Sequence, residues 1–172
     1  MKKINSILNE LDKMAKTALK MQRGYDSNRI TLPKKMEEFL HQGYFGPWDY
    51  FTEKFYDIFN KLNKSEQEVF IKNIFKHTAL FSCVKAGFHY NAPRIYEDWY
   101  SPVIESDYFY NGEFHPDEYE AALEEEQHQL ELFANTDLKK DYKLLQHIIR
   151  EGTWTAACPG HRKVLRMKHH PW

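Results

Sequence analysis

The fold is decided by the stretch SEQEVFIKNIFKHTALFSCVKAG, residues 65–87, because its apolar side chains recur three and four positions apart. These positions are Val69, Phe70, Ile74, Phe75, Ala79, Leu80, Cys83 and Val84. Ser65 followed three positions later by Glu68 has the pattern of a capping box, and Gly87 can end a helix. The pattern therefore predicts one core helix over this stretch that buries its whole apolar stripe, Phe75 included.

Three helices are predicted upstream of this stretch. The first is amphipathic, with a lysine-rich outer face, and ends near Gly24. Pro33 can occupy the first turn of a short second helix that ends around Gly43. Pro47 opens the third helix, which is expected to bury part of a set of large side chains: Trp48, Phe51, Phe55, Ile58, Phe59 and Leu62.

A small hairpin is predicted downstream. Asn111-Gly112 lies between two candidate strands, as a tight type I′ turn requires. Pro93 and Pro102 are expected to bracket a short, irregular aromatic segment before this hairpin.

Two helices are predicted after the hairpin. Pro116 opens an acidic helix through about Ala134. Thr136 is expected to cap the last helix, which ends before Gly152. We expect these two helices to pack as an antiparallel pair.

Length and composition favour a single compact domain. The 172 residues are 42% hydrophobic and 16% aromatic, so large rings should dominate the core. Together with the helical periods, this predicts a mostly α fold over residues 1–172, an irregular helical bundle of about six helices with one small β-hairpin near residues 107–115.

The sequence also bears on the cellular compartment. Cys83 and Cys158 form no Cys-x-x-Cys pair, which favours a reducing environment over a disulfide framework. Cys83 is expected to be a buried, inert thiol because it lies on an apolar stripe. No apolar run approaches the roughly 18–20 residues that cross a bilayer, and no signal peptide is recognisable. We therefore expect a cytoplasmic protein with no membrane partner.

Charge is strongly segregated along the chain. Residues 97–141 hold fourteen carboxylates and two lysines, a net charge of −12, whereas residues 1–96 sum to +6 and residues 142–172 to +5. The overall charge of −1 hides this polarity. Such asymmetry is typical of proteins that steer a charged partner. Two segments matter below, the acidic segment 97–141 and the basic C-terminal tail 161–172.

The sequence holds no complete catalytic or metal-binding motif. The nucleophile elbow, the P-loop, the dinucleotide-binding glycine motif and the H-E-x-x-H motif are missing. Glu125 and His128 have the Glu-x-x-His spacing of di-iron bundles, but the second copy that such a site needs is missing. Cys158 and His161 offer too few ligands for structural zinc. We therefore predict no catalytic residue, no metal site and no cofactor.

Aromatic and acidic side chains alternate over residues 96–119, which combines hot-spot side chains with steering charge. This pattern predicts a non-enzymatic protein that neutralises a basic partner, such as a nuclease or a nucleic-acid-binding effector, by steric and electrostatic occlusion. Toxin-immunity proteins, antitoxins and anti-defence proteins act in this way. The residues expected at the interface are Glu97, Asp98, Trp99, Tyr108, Tyr110, Glu113, Glu124 and Glu125.

Two alternatives stand beside this hypothesis, and the sequence leaves the oligomeric state open. The chain is a helical subunit of a larger assembly if the amphipathic N-terminal helix is a docking element. It is a small nucleic-acid-binding protein or RNase if the tail contacts phosphate rather than folding back onto the acidic helix. The tail residues concerned are Arg162, Lys163, Arg166, Lys168, His169 and His170.

Overall fold

The architecture is a helical bundle with one small hairpin, which confirms the predicted fold class. The computed structural model describes residues 2–26, 29, 31–40 and 46–156. Within them the helices are α1 (Lys2–Asp26), α2 (Lys34–Leu40), α3 (Pro47–Phe59), α4 (Lys64–Asn73), α5 (Thr78–Trp99), α6 (Pro116–Ala134) and α7 (Tyr142–Glu151). Strands β1 (Phe109–Tyr110) and β2 (Glu113–Phe114) pair antiparallel, and 3₁₀ turns cover Ile74–Lys76, Glu105–Tyr108 and Thr153–Ala156.

Aromatic rings form the centre of the core. The Phe55 side chain is completely buried. Its ring centroid lies 5.1 to 6.5 Å from those of Phe51, Phe59, Phe70 and Trp154. Ring pairs at these distances contribute about 0.5–1.5 kcal/mol beyond the area that they bury. The core therefore joins α3, α4 and the 3₁₀ turn after α7 through one set of rings.

The apolar face of α1 belongs to the same core. The helical spacing seen in the sequence places five of its side chains inside: Ile4, Leu8, Leu11, Ala15 and Ala18. This face is buried within its own chain. None of the described helices combines the length and the apolar character needed to cross a bilayer.

The predicted single helix over 65–87 is wrong, because the chain forms two helices there. Asn63, not Ser65, caps α4, and Glu66 completes the capping box: Asn63 Oδ1 accepts from the Glu66 N–H at 3.0 Å. The chain then passes through the 3₁₀ turn, and α5 begins after an extended His77. The first turn of α5 is held by the Leu80 N–H, which donates to the Asp12 carboxylate at 2.9 Å. A contact distant in sequence therefore stabilises a break that local periodicity does not show.

Gly87 does not end a helix, and Pro93 does not bound an irregular segment, because α5 runs through both. A Cβ atom on Gly87 would lie 1.9 Å from the Trp154 carbonyl oxygen, so only glycine permits this approach. Pro93 removes one backbone hydrogen bond from the helix interior. Tertiary packing outweighs both local stop signals.

Burial along the stripe follows the prediction except at one ring. Leu80 and Cys83 are fully buried, as expected. Phe75 is 38% exposed, so its predicted burial is wrong. It lies in the 3₁₀ turn, where the Lys76 ammonium is 6.0 Å from its ring centroid. The change from 3.6 to about 3 residues per turn rotates this side chain out of the apolar stripe.

The last helix begins later than predicted. Asp141, not Thr136, caps α7, with its carboxylate accepting from the Leu144 N–H at 2.9 Å, and Gly152 ends the helix in the left-handed region at φ 70°. The expected antiparallel pair is not the main packing of these helices, since α6 lies against α5, whereas α7 lies against α4 and the following turn.

We predict that Phe70→Ala lowers the free energy of unfolding by about 3–5 kcal/mol, because it opens a cavity in a closed aromatic cluster. Phe75→Ala is the matched control and should cost less than about 1 kcal/mol, since the ring is largely at the surface. Urea denaturation monitored by circular dichroism measures both. Equal losses in the two variants would place Phe75 in the core after all.

We predict that Gly87→Ala destabilises the protein by about 1–3 kcal/mol or more, although alanine favours a helix over glycine by about 1 kcal/mol. The added methyl group must displace the Trp154 backbone. The exposed neighbour on the same helix provides the control, because Lys85→Ala should stay within about 0.5 kcal/mol of the parent. Differential scanning calorimetry measures the Tm of both variants. An unchanged or higher Tm for Gly87→Ala would contradict the close approach of the Trp154 carbonyl to Gly87.

Candidate functional site

α6 lies outside the aromatic core, although it is a long helix. It spans 19 residues, and none of them is fully buried. Its packed face is half-buried and follows helical spacing: Tyr119, Ala122, Glu126, Leu130 and Phe133. Apart from these residues and the half-buried Ala134, the helix faces solvent, so α6 adds surface to the molecule rather than core.

Phe133 fastens the C-terminal half of α6 to α5. Its ring centroid lies 5.5 Å from that of Phe88, 5.6 Å from that of Tyr96 and 6.1 Å from that of Tyr100. Tyr96 and Tyr100 stack on each other at 4.7 Å. Loss of solvation and then the nearby carboxylate of Glu126 raise the pKa of Tyr96. One phenylalanine thus inserts into an aromatic pocket on α5.

Glu126 forms a second attachment through its carboxylate. Its Oε1 accepts the backbone N–H of Val103 at 3.0 Å, which fixes the chain between α5 and the hairpin against α6. This carboxylate faces inward and is engaged. Glu126 therefore differs in role from its acidic neighbours on the helix.

The hairpin turns as the sequence predicts. Asn111 and Gly112 have φ values of 54° and 82°, which are both in the left-handed range of a type I′ turn. Phe109 pairs with Phe114, and Tyr110 pairs with Glu113. The predicted strand pair is therefore confirmed, although each strand has only two residues.

Tyr110 ties the hairpin to the start of α6. Its hydroxyl donates to the Glu118 carboxylate at 2.8 Å, and this hydrogen bond raises the pKa of Tyr110. The Tyr110 ring stacks on His115 at 3.8 Å with an interplanar angle of 4°. His115 Nδ1 lies 3.9 Å from Glu118. Three side chains therefore hold the turn in one orientation.

The hairpin presents apolar surface despite these contacts. Phe109 is 63% exposed, and its ring stacks on that of Phe114 with the two centroids 5.8 Å apart. Tyr110 is 39% exposed, and Trp99 and Tyr100, at the end of α5, are 41% and 50% exposed. Large exposed rings of this kind are typical of interface hot spots.

The outer side of α6 is an acidic stripe without cations. The helix holds seven carboxylates and no lysine or arginine. Asp117, Glu120 and Glu124 recur three and four positions apart, so they share one exposed face. No hydrogen bond or ion pair to these three carboxylates occurs within residues 2–26, 29, 31–40 and 46–156. A like-charged pair four positions apart, such as Glu120 and Glu124, lowers the stability of a helix by about 0.2–0.5 kcal/mol.

The residues predicted at the interface fall into two groups. Tyr108, Tyr110 and Glu113 lie on the hairpin and its preceding turn, and Glu124 and Glu125 lie exposed on α6. Tyr108 is half-buried, because its ring packs on Tyr119 with centroids 5.5 Å apart. Tyr110 donates to Glu118, so the hairpin and the start of α6 are in direct contact.

The second group lies on the last turn of α5. Glu97 and Asp98 are exposed, and Trp99 packs edge-on against His147 of α7 at 5.4 Å. In the described part of the chain, no hydrogen bond or ion pair joins these carboxylates to the hairpin.

Sequence reasoning missed the residues that hold this surface in place. These are His115, Glu118, Glu126 and Phe133. The His115–Glu118 spacing of three residues was available in the sequence as a signal, as was the apolar spacing from Tyr119 to Phe133. The inward-facing Glu126 gave no signal, because it lies in a run of three glutamates.

The described residues contain no cluster of three His, Cys, Asp or Glu side chains that could hold a metal ion. Glu125 and His128 are both exposed on α6. Cys158, His161 and the tail residues Arg162–His170 lie outside the residues that the structure describes, so the zinc fragment and the predicted docking of the tail stay predictions.

No known family model matches the chain, and no curated protein or solved structure is significantly similar to it.

We predict that Phe133→Ala loosens α6 without weakening the aromatic core, because this ring is the main apolar contact of α6 with α5. Amide hydrogen exchange followed by mass spectrometry should become faster throughout residues 116–134 and stay unchanged in α3. Leu132→Ala is the matched control, since Leu132 is 55% exposed and should leave exchange unaltered. Faster exchange across the whole chain would show that α6 is part of the core instead.

Proposed function

We propose that this chain is a non-enzymatic inhibitor that binds a basic, nucleic-acid-acting protein and occludes its phosphate-binding surface. The binding surface is the hairpin together with the solvent-facing side of α6, called the acidic surface below. Toxin-immunity, antitoxin and anti-defence proteins are the functional classes to which such an inhibitor belongs.

One observation carries the proposal. The carboxylates of Asp117, Glu120 and Glu124 have no partner within the described residues, although each like-charged neighbour costs stability. Because no cation among the described residues offsets this repulsion, a basic partner protein would stabilise the surface on binding. Exposed aromatic rings beside it supply contact area, which charge alone does not.

The charge density of α6 resembles that of a nucleic-acid strand. Nineteen residues rise about 28 Å at 1.5 Å each, so the six carboxylates other than the inward-facing Glu126 give about one charge per 5 Å. A single strand of B-form DNA carries one charge per about 3.4 Å. A protein groove that binds phosphates therefore meets a similar linear charge on α6.

The hairpin is prepared for binding by its own contacts. Stacking of Tyr110 on His115 and the hydrogen bond to Glu118 hold the turn before any partner arrives. Preorganisation of this kind reduces the conformational entropy that binding would otherwise cost. Phe109, at 63% exposure, is the ring best placed to enter a pocket on the partner.

The acidic surface itself is unsuited to direct nucleic-acid binding, since its carboxylates repel phosphates. Nucleic-acid binding through the basic tail is a separate hypothesis, and the residues concerned lie outside the described part of the chain. The two hypotheses differ in what nuclease treatment does to the bound material.

The proposal predicts that the partner is captured from a nuclease-treated lysate of the native cells and that it cleaves or binds nucleic acid. With the purified partner, reversal of the stripe should reduce the association rate at least about tenfold at 50 mM NaCl. The difference should shrink at 500 mM NaCl, because salt screens steering. The variant is Asp117→Lys, Glu120→Lys and Glu124→Lys, and biolayer interferometry measures the rates.

Two further triple variants sharpen this test. Reversal at Glu97, Asp98 and Glu113 asks whether the end of α5 and the hairpin share the interface. A control with the same change in net charge reverses three exposed acids on other helices: Glu10, Glu53 and Glu68. Equal slowing in the control and the stripe variant would reduce the effect to net charge. Loss of all captured protein after nuclease treatment would favour the tail and direct nucleic-acid binding.

A further inference from the structure

A concave site lies between α1, α2 and α3, on elements that the acidic surface does not use. It is a cavity of about 240 Å³ that is open to solvent on one side. Its described lining is mostly apolar and consists of Lys13, Met14, Thr17, Ala18, Met21, Met36, Pro47, Tyr50 and Phe51. Nothing in the proposed inhibition calls for an apolar cavity at this place.

The size of the cavity sets the size of its ligand. A group as small as a water molecule takes about 30 Å³, so about eight such groups fill the cavity. A chain of about eight methylene-sized groups is the matching shape. A folded partner does not fit into this volume.

The lining sets the chemistry of the ligand's body. Met14, Met21 and Met36 come from two helices and converge on one space. Methionine side chains are unbranched and polarisable, so they adapt to a flexible aliphatic chain better than branched side chains do. Phe51 provides a rigid, buried wall. The cavity therefore favours an aliphatic body without polar groups along its length.

The rim sets the charge of the ligand's head. Lys13 lines the cavity from an exposed position, and its ammonium forms no ion pair with any residue that the structure describes. The Thr17 hydroxyl already donates to the Lys13 carbonyl at 3.0 Å, so it is engaged. Lys13 is the one charged side chain among the described lining residues, so the rim carries a positive charge that complements an anionic head group.

We propose that this cavity binds a straight-chain aliphatic carboxylate of about eight carbons. The alkyl chain lies among the three methionines, and the carboxylate pairs with the Lys13 ammonium. The site is independent of the acidic surface, because its residues belong to α1, α2 and α3.

Methyl NMR tests the location directly, with octanoate as the probe. Three of the five methionines line the cavity, and the other two are Met1 and Met167. With ¹³C-methyl methionine labelling, octanoate should shift the signals of Met14, Met21 and Met36 in a saturable manner. Octanoate at 10 mM that shifts none of the three cavity signals would overturn the proposal.

A ligand series tests the chemistry. The affinity should rise about fourfold for each methylene from butanoate to octanoate and then level off, because the cavity is full. Octanoate should bind more tightly than octanol, and octylammonium should bind most weakly. A continued rise beyond dodecanoate would indicate non-specific partitioning, and equal affinity for the three head groups would show that Lys13 takes no part; each result overturns the proposal.

Variants separate the two halves of the site. Lys13→Gln should weaken octanoate about two- to fivefold and leave octanol unchanged, which is the range of an exposed charge pair. Lys16→Gln, at a position that does not line the cavity, is the matched control and should leave the affinities for both octanoate and octanol unchanged. Ala18→Leu and Met21→Trp each fill the cavity from α1, and whichever of them keeps the parent's circular dichroism should lose octanoate binding. Retained binding in a folded, filled variant contradicts the site.

Discussion

The packing of the whole bundle depends on the close approach of Trp154 to Gly87. A backbone carbonyl rests where any side chain on residue 87 would stand, and this lets the Trp154 ring reach the centre of the core. There the indole N–H donates to the Tyr56 hydroxyl at 2.9 Å, and that hydroxyl donates to the Ile149 carbonyl at 2.6 Å. Burial raises the pKa of Tyr56, so the hydroxyl stays a neutral donor. The absence of a side chain on Gly87 thus lets α3, α5 and the end of α7 pack closely together. The buried Trp154 N–H and Tyr56 hydroxyl are both hydrogen-bonded in this core.

The acidic helix α6, unlike the core helices, is not held by buried side chains. α6 buries no residue fully and carries seven like charges, so the helix is held by a few attachments at its ends and middle. Phe133, Glu126 and the Tyr110–Glu118 hydrogen bond are these attachments. Their combined strength must exceed the repulsion among the carboxylates for the helix to stay on α5. Aromatic packing and two carboxylate hydrogen bonds therefore position α6, while its exposed carboxylates give the solvent-facing side a negative potential.

Local signals in the sequence predicted the elements better than the junctions between them. The Asn111-Gly112 turn and the Pro47 and Pro116 helix starts are confirmed, because each depends on backbone preferences of one or two residues. The break before Thr78 escaped prediction, since the Asp12 carboxylate that caps α5 comes from a distant part of the chain. The prediction that Gly87 ends a helix was wrong for a related reason. Glycine is favoured both at helix ends and where two backbones approach closely, and the sequence does not distinguish the two cases.

The same division applies to the candidate site. Composition alone located the acidic, aromatic segment, and in the structure the hairpin of this segment contacts the start of α6 through Tyr110 and Glu118. The attachments inside that surface depend on side-chain directions that no spacing specifies, as Glu126 shows among three consecutive glutamates. A cavity between three helices is likewise a property of their packing, so Lys13 and its methionine neighbours carried no sequence signal.

The position of Trp154 has a consequence for synthesis on the ribosome. Residues 87 and 154 are separated by a chain that takes about 3 to 13 s to translate at 5–20 residues per second, whereas collapse of a small chain takes microseconds. During that interval a nascent chain holds Phe55 and Trp48 without the ring that closes over them. The growing polypeptide therefore lacks the ring that completes its aromatic core until Trp154 has been synthesised.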